Sequence, residues 1–195
     1  GIGNHEVDDD VSPAAAPFYF GYAAQGGRSY FARTFGGKLA LFVLDSGHIE
    51  AHDGAQKAWL KEMLEAHREY PHTAAAYHVP LYPSHRDFED HRSQAGREHW
   101  LPLFDAYGLD VGFEHHDHTH KRTHPLRGGV PHPEGTVYLG DGAFGVPVRE
   151  IRHGDAPYMA AAHSKGHFWI VDVDETGMRF RAMDRHGDVF DAYPE

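Results

Sequence analysis

Residues 109–122 read LDVGFEHHDHTHKR: a short apolar run that empties into four closely spaced histidines. The run, residues 109–113, predicts a buried strand. His116 and His118 stand two apart directly after it. In extended backbone, residues at that spacing point to the same side with Cα atoms about 6.5–7 Å apart. Two imidazoles so placed could each reach one member of a metal pair about 3.5–4 Å apart.

Moving outward, the same pattern of an apolar strand closed by ligand-type side chains recurs. Residues 73–79 predict a strand that ends in Tyr77-His78-Val79 and is stopped by Pro80. Residues 136–139 predict another, followed by Gly140-Asp141-Gly142. The chain opens on Gly3-Asn4-His5-Glu6, where Asn4 can offer a carbonyl oxygen and His5 a proton. Side chains at the C-terminal ends of strands in an α/β sheet converge on one rim, where ligands bind. Residues 39–45 (LALFVLD) predict a buried strand whose last residue, Asp45, caps the following loop. A helix is expected from Asp53 or Gly54 to about Glu69, with Leu60 and Leu64 on its apolar face. A second is expected over residues 94–107, ended by Gly108. Residues 167–173 and 178–184 predict a hairpin across Asp174–Gly177. Residues 7–37 lack any sustained period and predict a long excursion with a short ribbon near 29–35. Asp8, Asp9 and Asp10 within it predict a solvated acidic loop. Strands alternating with helices, then a β-rich tail, predict an α/β layered fold.

The 195 residues suit one domain, and 41% hydrophobic with 24% charged residues allows a packed core. Net charge is −11, from 29 acids and 18 bases, so no nucleic-acid-binding surface is expected. The absence of cysteine removes thiol nucleophiles, disulfides and Cys-type zinc sites. No apolar run approaches the roughly 18 to 20 residues of a membrane span. The 19 histidines make a His/Asn/Asp metal site the leading expectation. His48, His52, His132, His153 and His163 belong to no constellation and are expected at the surface.

The order Gly3-Asn4-His5-Glu6, then His78-Val79-Pro80-Leu81-Tyr82, then the 113–122 segment with its His-x-His and Arg122 resembles the calcineurin-like metallophosphoesterases. It is most similar to their purple acid phosphatase branch. That resemblance implies a layered αββα sandwich with its N-terminal half missing, so that residues 1–195 form a single partial domain. It implies a binuclear metal centre of the Fe, Zn or Mn type that activates water for in-line attack on phosphorus, with a phosphate ester as substrate. It places Asn4, His78 and His116 on the second metal and His118 on the first. His5 falls beside the phosphoryl group, and His85 is a looser match to histidines that contact phosphate or leaving group. His115 stands where the family has Gly, and His120 where it has Tyr. The family's Asp-x-His and Gly-Asp motifs would lie upstream of Gly1, so the chain alone is expected to lack a complete site. A secreted or periplasmic setting is implied in the same way.

Two rival readings remain open. His116, His118 and His120 could form a mononuclear zinc hydrolase site. A His-rich acidic chain could also be a non-enzymatic metal-binding protein.

Overall fold

The computed structural model describes residues 1–7 and 27–194. The expected acidic loop at Asp8–Asp10, and most of the excursion around it, lie outside the described residues.

The apolar runs form the strands they predict. In chain order the elements are β1 (Phe31–Phe35), β2 (Leu39–Val43), α1 (Gly54–Ala66), β3 (His72–Tyr77), α2 (His91–His99), α3 (Leu101–Tyr107) and β4 (Val111–Glu114). There follow β5 (His120–Thr123), β6 (Leu126–Arg127), β7 (Val130–Pro131), β8 (Val137–Gly140), β9 (Met159–His163), β10 (His167–Val173), β11 (Met178–Asp184) and β12 (Val189–Tyr193). A seven-stranded sheet runs β1-β2-β3-β4-β8-β5-β9. Its centre, β2-β3-β4-β8, is parallel. Both faces of these strands are therefore covered, as their continuous apolar composition requires.

One face packs on the helices through Phe42, Leu60, Leu64, Tyr77, Trp100 and Phe104. The other face packs on an antiparallel sheet β10-β11-β12, with Val111, Val137 and Leu139 meeting Met178 and Phe180. The layers among the described residues are thus helix, sheet, sheet, three of the four layers of the expected αββα sandwich.

Three expectations change. The helix expected over 94–107 is two helices. Pro102 lacks a backbone N–H and disfavours helical backbone in the residue before it, so the chain restarts after Trp100. The first of the two begins earlier than expected because the Asp90 carboxylate accepts hydrogen bonds from Arg92 N (3.0 Å) and Ser93 N (3.4 Å). Residues 120–123, 159–163 and 189–193 are strands that single-sequence periodicity does not announce.

The second sheet is tied to the first by an ionic contact. Asp191 on β12 accepts from Arg122 Nη2 (2.8 Å) and Nε (3.0 Å) and lies 3.0 Å from His120 Nε2. Burial raises the Asp191 pKa, but hydrogen bonds from His120 and Arg122 more than offset this and hold it below the usual carboxylate range. A carboxylate depressed in the folded state contributes stability above its unfolded pKa of about 3.9 and loses it as pH falls toward the folded value. We therefore expect Asp191→Asn to lower the thermal midpoint near neutral pH and to flatten the acid limb below about pH 4. Identical acid limbs for parent and variant would contradict this.

Candidate functional site

Strands β3 and β4 run parallel in a register that sets Tyr77 beside Glu114, so His78 and His115 leave the sheet at the same level. The backbone then locks them together: His115 N and His116 N both donate to the His78 carbonyl, at 3.1 and 2.9 Å. Two buried carboxylates fix the surrounding chain. Glu114 Oε1 accepts from Tyr77 OH (2.8 Å) and from Leu81 N (2.7 Å), while Oε2 pairs with Lys121 Nζ. Lys121 Nζ also donates to the Tyr82 carbonyl. Asp117 accepts from Ser84 N (2.6 Å), Ser84 Oγ (3.1 Å) and His85 N (3.0 Å). Together they pin the loop after His78 to the turn that carries His116.

The N-terminal segment closes over this pair. Residues Asn4–Glu6 form a 3₁₀ turn, with Glu6 Oε2 accepting from Gly3 N at 2.7 Å. Gly3 is extended rather than sharply turned. Its need is for space: a Cβ would lie 2.8–3.0 Å from the His78 ring. The tight fit brings Asn4 Oδ1 to 2.8 Å from His78 Nε2. The His116 ring centroid is 4.5 Å from that of His78. Two of the expected metal residues, Asn4 and His116, therefore each lie against a third, His78.

Burial pushes the His78 pKa down to about 2, aided by the neighbouring His116 and His48. Burial likewise lowers His116 to about 3, aided by Arg86. Both rings are thus neutral at ordinary pH, with lone pairs to offer. The donor set, one amide oxygen and neutral imidazoles, suits a borderline divalent cation. The 2.8 Å between Oδ1 and Nε2 is a hydrogen-bond distance, with the Nε2–H of His78 donating to the Asn4 carbonyl oxygen, so a cation bound there would take the place of that proton. Among the described residues no three His, Cys, Asp or Glu side chains converge as a metal-holding group.

The other expected residues take separate places. His118 is the only non-glycine residue with positive φ (55°) among the described residues. It sits at the end of a turn closed by His118 N donating to the His115 carbonyl (3.3 Å). The segment 116–118 is therefore not extended, and His116 and His118 do not share a strand face. His118 feels the charges of Arg149, Arg86 and His5, and its carbonyl accepts from Arg149 N at 3.2 Å. His5 is exposed at this rim. His85 lies in the pinned loop, with Nδ1 2.9 Å from the Glu150 carbonyl. His115 pairs with Asp141, and Gly142 packs so tightly on the His115 carbonyl that a Cβ would fall 1.4 Å from its oxygen.

The mononuclear reading through His116, His118 and His120 fails. His120 is fully buried and committed to Asp191, with His163, His167 and Phe190 around it, whereas His116 lies against His78 with the ring planes tilted. Asp45 caps its loop as expected, accepting from His48 N (2.8 Å), Ile49 N (3.0 Å) and Glu50 N (2.9 Å). Two histidines expected at the surface are inside. His52 packs on Trp100 with centroids 4.5 Å apart, and the His48 side chain is 1% exposed, 5.3 Å from the His78 ring. Arg86 and Arg149, whose charges reach His116, also escaped the sequence reading. Both lie in irregular segments with no periodic signal.

No family model matches the chain. Over 80 residues it is 35% identical to two uncharacterized proteins of Mycobacterium tuberculosis, a stretch that is 40% of this chain and 15% of theirs. Among solved structures it is similar to purple acid phosphatase PPD1 from yellow lupin seeds, with TM-score 0.75 and 16% identity over 84% of this chain and 32% of that one. It is also similar to GAP50, the anchor in the inner membrane complex of Plasmodium (TM-score 0.64, 12% identity, 84% of this chain and 52% of that one). A third likeness is to PhoD (TM-score 0.59, 13% identity, 80% and 38%). The resemblance to the purple acid phosphatase-like, metallophosphoesterase-type fold is thus established at the level of structure. The chain spans about a third of the lupin enzyme and a much smaller part of the mycobacterial proteins.

The buried Glu114–Lys121 pair has a measurable signature. Removing one partner of a buried pair strands a charge and costs about 3–5 kcal/mol, whereas replacing both by apolar groups is often neutral. Glu114→Leu should therefore lower unfolding free energy in guanidinium titrations by about 3–5 kcal/mol. Adding Lys121→Met should recover part of that loss, the remainder reflecting Tyr77 OH and the Leu81 amide left without their acceptor, and strictly additive losses would contradict the pairing.

Proposed function

We propose that this chain contributes the Asn/His half of a metal-dependent phosphoric ester hydrolase centre, and that the activity belongs to the longer protein that contains it. The observation that carries the reading is that Asn4 and His116 both lie against His78, delivered from three separate segments to one rim of a purple acid phosphatase-like sheet. Fold likeness alone would not carry it, because the same fold serves as an anchor in Plasmodium.

In this reading Asn4, His78 and His116 hold one metal ion of a pair, and His118 contributes to the other. A metal pair bound there would lower the pKa of a bound water toward neutrality and polarise phosphate oxygens. The chain's own side chains do the rest. Low pKa values at His78 and His116 keep protons from competing for their lone pairs. Arg86 and Arg149 place positive charge beside the cluster, which favours an anionic ester and stabilises charge on a transferring phosphoryl group. In this reading His5, which is exposed, donates a hydrogen bond or a proton to the ester, work worth about 10²–10⁴-fold in rate. The acidic chain as a whole is unsuited to gripping a nucleic-acid backbone, so a small phosphate ester is the substrate class proposed. Among the described residues no group of three His, Asp or Glu side chains completes the cluster.

The division of roles separates two variants. His5→Ala should cut turnover of a phosphate ester by about 10²-fold or more while metal content by elemental analysis stays near the parent level. His116→Ala should lose metal and turnover together. Equal metal loss in both variants would contradict these assignments.

A further inference from the structure

His48 is a histidine the site reading does not use. Its side chain is 1% exposed, and its ring lies 5.3 Å from His78 in an edge-on arrangement. Its two nitrogens have different surroundings. Nδ1 faces Ser46 Oγ at 3.4 Å and Asp45 Oδ1 at 3.7 Å. Nε2 is buried with no hydrogen-bond partner. Asp45 is not free to rotate away, because Ser29 Oγ (2.6 Å) and the amides of His48, Ile49 and Glu50 hold it.

A carboxylate beside Nδ1 favours the tautomer with its proton there, which leaves the Nε2 lone pair presented and unused. A carboxylate behind an imidazole whose far nitrogen is vacant is the arrangement that orients a histidine toward a metal or a water bound to it. A buried polar atom without a partner costs free energy that an apolar side chain of similar size would avoid. The cost is tolerated where a ligand supplies the missing partner.

We propose that His48 is a further residue of the Asn4–His78–His116 cluster, its Nε2 reserved for a water bound to the cation that the cluster holds. This rests on the metal-binding reading of the cluster. Residues 45–48 form the loop at the end of β2, the strand beside β3, so the cluster extends across three neighbouring strand ends, β2, β3 and β4, with Asn4 above them.

The test uses Zn²⁺ as the probe. Zn²⁺ affinity is measured by calorimetry, and thermal unfolding is measured with and without Zn²⁺, for the parent, His48→Leu, His78→Ala and Gln56→Leu. Gln56 is a buried control that holds the same loop through Asp45 N (2.8 Å) and the Ala51 carbonyl (2.8 Å). We expect His48→Leu to weaken Zn²⁺ about 10- to 100-fold, with a metal-free midpoint equal to or above the parent's, because the unpartnered atom is gone. Gln56→Leu should lower the metal-free midpoint, which is what a purely structural role at His48 would also do. If His48→Leu lowers the metal-free midpoint and leaves Zn²⁺ affinity unchanged while His78→Ala abolishes it, the His48 assignment is overturned and the cluster reading stands. If the parent and all variants bind Zn²⁺ equally, or none binds, both fall.

Discussion

The candidate site depends on one buried carboxylate. Glu114 ends β4, immediately before His115 and His116, and its two oxygens reach Tyr77, Leu81 and Lys121. Tyr77 immediately precedes His78, and Leu81 follows it by three residues, so a single side chain sets the distance between the two strand ends that carry the key imidazoles. Such a charge is costly to bury unless every lone pair is used, and here Lys121 balances it while Tyr77 and the Leu81 amide occupy the remainder. The result is a stiff frame beneath a cluster of neutral, solvent-poor histidines. Asp117 repeats the device on the outer side, holding the loop at 84–86 by its amides.

This frame explains why chemistry can concentrate at a rim built from short, irregular segments. Loops that carry reactive side chains need rigid supports. In this chain the supports are not the strands alone but carboxylates that reach from one strand end to the next chain segment. The parallel register of β3 with β4 brings His78 and His116 level, and the two amides donated to the His78 carbonyl leave little freedom between them. The N-terminal turn then adds Asn4, in a fit so close that position 3 has no room for a side chain.

Much of this was legible from sequence because burial writes a strong pattern. The apolar runs at 39–45, 73–79 and 109–113 became the central strands, and the three- and four-residue spacing after Gly54 became a helix. Strand-end placement of His78 and His116 followed from the second and third of those runs, whereas Asn4 sits on a 3₁₀ turn with no strand before it. What periodicity could not show were features decided by distant partners. Pro102 broke one helix into two. The turn at 115–118, which overturns the extended His-x-His geometry, is imposed by the His78 carbonyl and the Asp117 contacts. His48 was read as a surface residue because its burial comes from Asp45 and from a strand some thirty residues on. His120 looked like a ligand by spacing alone, yet it faces the second sheet through Asp191, a residue about seventy positions away.

The central claim is that Asn4, His78 and His116 share one cation. X-ray absorption and anomalous diffraction on crystals grown with Zn²⁺ address it directly. The account predicts an anomalous peak about 2.0–2.2 Å from Asn4 Oδ1, His78 Nε2 and an imidazole nitrogen of His116, with an oxygen- and nitrogen-only ligand shell. A well-occupied peak elsewhere on the histidine-rich surface, with these three side chains keeping their metal-free contacts, would contradict it.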